Sequence, residues 1–408
     1  MSRKAIALIL SISVLIAFVS ISVPILSRSV SESNLARRYV ASTKAFWGSE
    51  AGVQRAIKDL ASDSNLTSWG DDDNDGRPDI TFSLNTATCT VEVDLGGSNP
   101  VVYSKGYVSG ITGSDRNIKV NLVPKTTHPF TYAGLSKSSL TMSGNGKTDS
   151  YDSAQGPYGG SNKGSNGDVG TNGITAGAIS LSGNATVKGD ALTGPGGTVK
   201  ISGNAEVTES ISDTCNEEIP SVTVPSSLKS LPSGGSYNVD GNDNVTISSG
   251  NYKFSSISVS GNGELILQGP MNLYLMGSSS FSISGNGKVK VIGAVKIYTD
   301  GQCDIGGNGV VNNSNLPKNF MIYSTYTGSN NGVKITGNGD LYGVIYAPDT
   351  EVKVTGNGDI FGSIVADNII LSGNGDVHYD EALASVSGPG SSGYSVETWN
   401  DEDNPYKL

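Results

Sequence analysis

Cysteine and histidine are almost missing from this chain. Its 408 residues carry three cysteines (Cys89, Cys215, Cys303) and two histidines (His128, His378). Three cysteines cannot build a disulfide framework. A bond between Cys89 and Cys215 stays open, while Cys303 falls in a core slot of the repeat described below and reads as a buried small hydrophobe. Neither histidine stands at a recognisable spacing from a serine or cysteine, so no nucleophile–base–acid triad is indicated. Basic charge is also short. Lys plus Arg is 27 against 38 for Asp plus Glu, a net charge of −11. That argues against a nucleic-acid partner, which would need a basic face. Glycine fills the space instead, with 54 residues. An acidic, Gly-, Ser- and Asn-rich chain suits a surface or secreted protein.

Between Leu140 and Val377 the pattern apolar, x, apolar, x, Gly, Asn is written ten times. The asparagines are Asn145, Asn184, Asn204, Asn242, Asn262, Asn286, Asn308, Asn338, Asn357 and Asn374. Apolar residues stand two and four places before each corner glycine (Ile305 and Cys303 before Gly307, for example). Another stands four places after it, as Val311 does, with Thr148 the exception. Period two on both sides of a Gly-Asn corner means strand, bend, strand. Most neighbouring corner glycines are 17 to 30 residues apart. The gaps of 39 (Gly144 to Gly183) and 38 (Gly203 to Gly241) predict one degenerate coil each, with Val222–Val224 a candidate in the second. The expected fold is α+β, dominated by a large single-stranded parallel β-helix over 128–384, of about ten to thirteen coils and right-handed by expectation. Stacked corner asparagines can form an amide ladder along the axis. The glycines read as corner geometry rather than phosphate loops, since no helix pattern or Lys-Ser/Thr follows them.

The amino-terminal segment is of another kind. Arg3 and Lys4 precede 22 uncharged residues, Ala5–Leu26. At about 1.5 Å per residue that run spans a bilayer as a helix, and the leading positive charges place its start in the cytoplasm. A cleaved signal peptide would want a shorter apolar core and a small-x-small exit, which does not follow. Leu35, Val40, Phe46, Val53, Ile57 and Leu60 continue at helical spacing, so one long helix over 1–60 is expected, kinked at Pro24.

Residues 61–125 read as an acidic loop followed by a small antiparallel β region. In Asp71–Asp79, Asp71, Asp73 and Asp75 alternate before Gly76, and Asp79 follows. Alternating carboxylates, with the Arg77 carbonyl, are the oxygen donors a calcium ion takes. The loop resembles those of dockerin-like and thrombospondin-type repeats. It lacks the position-twelve Glu of an EF-hand, and a solvated acidic turn is the alternative. The segments ITFSL, TCTVEVDL, PVVYSKGYV and NIKVNLVP read as strands. The tail over 385–408 is acidic and unpatterned, and is expected to be flexible.

The apolar start, its amphipathic continuation and AFWGSEAGVQRAIKDL at Ala45–Leu60 resemble the amino terminus of PilX-type minor pilins and pseudopilins. The YSKGYV and RNIKVNL segments are similar to the β region that follows that helix. The repeat, through DLYGVIYAPDTEVKVTGNG, DIFGSIVADNIILSGNG and VHYDEAL, resembles the domain of unknown function appended to many such proteins (DUF7305-like). The resemblance implies a peptidase cut between Lys4 and Ala5 and a single-pass inner (cytoplasmic) membrane subunit with its bulk outside. It also implies helix packing with other pilin subunits of a type IV pilus or secretion filament. It implies no reaction. The chain departs from most major pilins in having no Glu before Glu32.

Polysaccharide lyases and hydrolases also use β-helices, so a membrane-anchored polysaccharide-binding or polysaccharide-cleaving protein is the alternative. Asp340, Asp359 and Asp376 share the slot three places after the corner glycine. That acidic row reads as a tolerated exposed corner, with cation binding or one raised pKa as the sharper reading. Tyrosines beside the repeat (Tyr151, Tyr158, Tyr323, Tyr326, Tyr342, Tyr346) suit either strand packing or contact with surface glycans or proteins. A bactofilin-like cytosolic scaffold is disfavoured by the spanning segment and the acidic, Asn-rich corners.

Overall fold

The computed structural model describes residues 3–63, 65–72, 74–97, 99–125, 127–329, 331–389 and 393–402, with backbone only at 3–9 and at Ser62. It comprises one long amino-terminal helix, a small antiparallel sheet and a large, mostly parallel β region. The chain divides into two units, Met1–Lys125 with Ser392–Leu408, and Thr126–Ser391.

In the first unit a single helix, α1, runs from Arg3 to Ser62 with Pro24 inside it. Its apolar first half is solvent-exposed throughout, from Leu10 to Leu26. The buried face begins at Ala41 and continues through Ala45, Gly48, Ser49, Gly52, Val53, Ala56 and Leu60, a helical stripe at three- and four-residue steps. This stripe is made chiefly of small residues. Leu35 and Val40, expected on it for their size, are 69% and 52% exposed. Small residues win because the helix backbone lies directly on a strand. A Cβ added to Gly106 would strike the carbonyl oxygen of Ala45 and lie 2.9 Å from the amide nitrogen of Ser49. Ser104 Oγ donates to the Ser49 carbonyl at 2.7 Å.

The sheet under α1 has the order Asp79–Leu84, Ala87–Asp94, Val101–Val108, Arg116–Pro124, Tyr394–Asp401, antiparallel throughout. The last strand corrects the expectation of an unstructured tail. Residues 394–401 pair along Arg116–Pro124, and Trp399 stands edge-on to Phe46 with its Nε1 donating to Glu50 at 3.2 Å. An edge strand pairs through its backbone, so a segment with one half-packed face shows little apolar alternation. Cys89 is buried in this core, and all three cysteines are free thiols.

In the second unit each repeat supplies short strands that pair in parallel with those of neighbouring coils. The order of the stack is not the order of the chain. From one end, the strands before the corner glycines run Val199–Ile201, Ile179–Leu181, Gly134–Met142, Ile360–Leu371, Leu341–Val354 and Val333–Ile335. They continue as Gln302–Ile305, Ser279–Ile283, Ser256–Val259 and Ser236–Val239. The repeat thus begins in the middle of its own stack and winds out to Ser212. It crosses to the far end through 213–235 and winds back, closing where Ile360–Leu371 meets Gly134–Met142.

Burial follows this order. Among residues two places before the corner glycines only Ile201 is exposed (42%), and it lies in an end coil. Of those four places before, only Val199 and Tyr237, one at each end, are less than fully buried. Cys303 sits in the core at 1% exposure. At one slot the register shifts by a residue. Val310 points inward and Val311 is 45% exposed.

Neither long gap hides a coil. Gly144 and Gly183 belong to adjacent coils, since Leu140 pairs with Ile179. The extra length is residues 152–168, which leave the coil and return at Val169–Thr171. The Gly203 and Gly241 coils lie at opposite ends. The connection between them carries one short helix, Ser226–Lys229, and buries Val222 and Val224 without forming a strand there. It runs back beside the stack, where Tyr132 donates to Glu217 and Tyr346 to the Pro220 carbonyl.

Candidate functional site

The corner asparagines form two runs of amide hydrogen bonds. Asn204 donates to Asn184, Asn184 to Asn145, Asn145 to Asn374, Asn374 to Asn357 and Asn357 to Asn338, at 2.7–3.0 Å. On the other side Asn308 donates to the Asn286 carbonyl, Asn286 to Asn262 and Asn262 to Asn242. The corner glycine itself carries the left-handed conformation at Gly144 (φ +96°). At Gly373 a Cβ would strike the Gly356 carbonyl of the next coil. Asn145 spans the closure of the stack. Asn145→Ala removes two of these bonds and should lower stability by about 1–2 kcal/mol, measured as a shift in the urea midpoint at unchanged slope.

Two slots beside these corners carry titratable groups. Asp340, Asp359 and Asp376 stack three places after the corner glycine. Each tethers the next coil, because Asp340 Oδ1 accepts from Asp359 N, Asp359 Oδ1 from Asp376 N and Asp376 Oδ1 from Lys147 N, at 2.8–3.0 Å. Earlier in the chain the same slot holds the Glu264–Lys288 ion pair at 2.7 Å. Five places after the corner glycine stands a second row on the same face, Tyr342, Phe361, His378 and Asp149, paired coil to coil. Tyr342 and Phe361 stack at 4.1 Å between centroids.

His378 is the hub where the rows meet. Its Nδ1 lies 2.5 Å from Asp149 Oδ1 and its Nε2 3.5 Å from Asp359 Oδ2. The 152–168 loop folds Tyr158 over it. The two rings are 3.9 Å apart, and the Tyr158 hydroxyl donates to Asp149 Oδ2 at 2.7 Å. His378 is therefore only 3% exposed, Asp149 7% and Asp359 37%. Burial works against a charged imidazole here, but the Asp149 and Asp359 carboxylates outweigh it and raise His378 to about 9. Burial likewise opposes ionisation of Asp149, yet its bonds from His378 and Tyr158 hold it below the usual carboxylate range. Asp359 is held low chiefly by the His378 imidazole beside it, while burial pushes Asp376 up. Ligating atoms of Asp359, Asp376 and His378 lie within 4.8 Å of one another, the one such group among the described residues.

The acidic row is visible in the sequence, and His378 stands two places after Asp376, but the third carboxylate beside it, Asp149, lies 229 residues away and is not. The tyrosines divide. Tyr151, Tyr323 and Tyr346 are buried packing groups, Tyr158 packs on His378, and Tyr342 stacks on Phe361 one coil further along the row.

The acidic loop of the first unit is arranged differently. Asp71 accepts from the amides of Asp75 and Gly76, Asp75 from Arg77, and Asp79 from Asp72. The Arg77 guanidinium pairs with Glu92, Asp94 and Asp75. Asp73 lies outside the described residues, as do the side chains of Lys4 and Ala5.

Residues 203–386 match the family profile of a domain of unknown function, DUF7305. Among curated proteins none matches the chain. Two solved structures are similar at a distance. The competence-associated pilin ComZ from Thermus thermophilus aligns over 88% of this chain and 97% of its own, at 11% identity and a TM-score of 0.26. The Shewanella frigidimarina ice-binding protein_1 DUF3494 domain aligns over 64% of this chain and 99% of its own, at 15% identity and a TM-score of 0.28. Both likenesses are remote, and the fold described here rests on the strand pairings themselves.

Proposed function

We propose that this chain is a minor pilin-like or pseudopilin-like subunit. Its α1 sits in the inner membrane and then packs with other subunits in a type IV pilus or related secretion filament, and its repeat unit is displayed outside the cell for adhesion or assembly. The observation that carries the reading is the divided character of α1. The half from Leu10 to Leu26 is apolar and packs on nothing in its unit, whereas the half after Ala41 is fitted to a sheet. An exposed apolar helix of that length needs lipid or another helix. Two of the four serines within it are already suited to lipid, since Ser20 and Ser22 donate to the carbonyls of Ile16 and Phe18 four residues back. The reading keeps calcium as a stiffener of the Asp71–Asp79 loop, where chelation should lower the thermal midpoint of the first unit by a few degrees and added Ca²⁺ restore it.

Two carboxylates in the apolar half test the anchor. Val14→Asp with Phe18→Asp should cost about 6 kcal/mol of insertion free energy and move the chain from the membrane and sheared-surface fractions into the soluble one, with the repeat unit still folded. A double variant that fractionates and shears like the parent would contradict the proposal.

A further inference from the structure

We propose that Asp359, Asp376 and His378 form a binding site for a divalent transition metal of the zinc class, with Asp149 as the residue that orients the imidazole. This inference stands apart from the filament reading and concerns the repeat unit alone.

The two nitrogens of His378 are treated differently. Nδ1 makes a short bond of 2.5 Å to Asp149. Nε2 stands 3.5 Å from Asp359 Oδ2, longer than the ~2.7–2.9 Å of a charge-assisted hydrogen bond. That distance is close to the edge between two ligands of a tetrahedral ion, about 3.4 Å for bonds of 2.0–2.1 Å. All three ligating atoms lie within 4.8 Å of one another, so Asp376 closes on the ion by a side-chain adjustment at a partly exposed residue.

The supporting shell is already built. Asp359 and Asp376 each use Oδ1 to accept a backbone N–H of the next coil, which fixes the carboxylate and leaves its second oxygen for a further partner. Asp149 Oδ1 accepts the Nδ1–H hydrogen bond, and the Tyr158 hydroxyl donates to Asp149 from the other side. A metal-bound histidine is held in this way, with its other nitrogen donating to a carboxylate so that the tautomer and ring plane are set.

The donor set also chooses the metal. One imidazole and two carboxylates suit zinc and its neighbours better than calcium or magnesium, which take oxygen donors alone and more of them. Three protein ligands leave a fourth position, on the side where Asp359 is 37% exposed. The surrounding charge agrees, because three carboxylates (Asp149, Asp359, Asp376) face one imidazole and a dication offsets them. Lys147 bonds Asp376 through its backbone N–H and also acts on it through its charge, as Lys188 does on Asp149, and the Lys163 ammonium lies over the Tyr158 ring at 4.4 Å from its centroid.

The test uses the full chain in detergent, stripped of metal and titrated with Co²⁺, whose visible absorption reports its coordination, and then with Zn²⁺ as competitor. The expected result is one saturable Co²⁺ per chain, displaced by Zn²⁺ but not by millimolar Ca²⁺. Asp376→Asn, which keeps the acceptor for Lys147, and His378→Gln should each weaken binding at least about 100-fold. Asp149→Asn should weaken it about 10- to 100-fold. Asp71→Asn with Asp75→Asn should leave it unchanged. Should His378→Gln fail to fold, Asp376→Asn and Asp149→Asn decide the matter. No saturable Co²⁺ binding, equal displacement by Ca²⁺, or parental affinity in Asp376→Asn and Asp149→Asn would overturn the assignment.

Discussion

Replacing Ile364 by aspartate is expected to unfold the whole repeat unit, although Ile364 lies only 16 residues before the last residue of the repeat strands, Asp380. Ile364 is fully buried and sits in the closing coil, paired with Ile345 on one side and Gly134 on the other. Placing a carboxylate there costs well over 4 kcal/mol, the range reached by unpaired buried charge. A stack behaves as a one-dimensional array in which each coil leans on its neighbours. Loss of the closing coil therefore removes a neighbour from both arms at once. Hydrogen exchange should rise across 134–212 and 236–354 together. The matching change in an end coil, Val207→Asp, should raise exchange over 199–212 and leave the rest protected. If coils stacked in chain order, Ile364 would lie near an end and its replacement would loosen only the last coils. The two variants thus separate the observed order from the simple one.

A single methyl group is expected to have a comparable effect in the first unit. In Gly106→Ala the added carbon meets the main chain of α1, with the Ala45 carbonyl carbon at 2.8 Å and the Ser49 nitrogen at 2.9 Å. No side chain can rotate away, so helix and sheet must separate. Ordinary overpacking costs about 1–3 kcal/mol, and a clash with rigid backbone on both sides belongs at or above the top of that range. The separation would also break the bond from Ser104 to the Ser49 carbonyl. Circular dichroism should show a lower thermal midpoint for this unit. The neighbouring change Tyr107→Ala, on a side chain that does not face α1, should cost less. An unchanged midpoint for Gly106→Ala would mean that the helix does not lie this close.

Within each coil the repeat is legible, because alternation and the Gly-Asn corner are local signals. Cys303 could be placed in the core from its slot alone, and the acidic row from its register. The order of coils is not legible. The tetrapeptide at Ser143 and that at Ser372 are the same SGNG, and either could sit beside any other. Only the long contacts, such as Asn145 to Asn374, choose between them. In the His378 site Asp359 and Asp376 are close to His378 in the chain and share the repeat's slots, whereas Asp149, 229 residues away, is brought beside it only by the order of the stack. On α1, Val53 and Leu60 are buried and Phe46 and Ile57 pack against the core as their spacing predicts, while Leu35 and Val40 are exposed; where backbone lies on backbone, small residues such as Ala45 and Gly48 are inside. The edge strand 394–401 is not legible in the sequence, because pairing by backbone leaves little pattern in side chains.

Carriage of the subunit in a surface filament by its helix can be checked by shearing filaments from cells that make this chain and sequencing the amino terminus of the subunit recovered. The chain is expected in the sheared fraction with a terminus at or near Ala5. An intact Met1, with the chain confined to membranes and none in the sheared filaments, would contradict it.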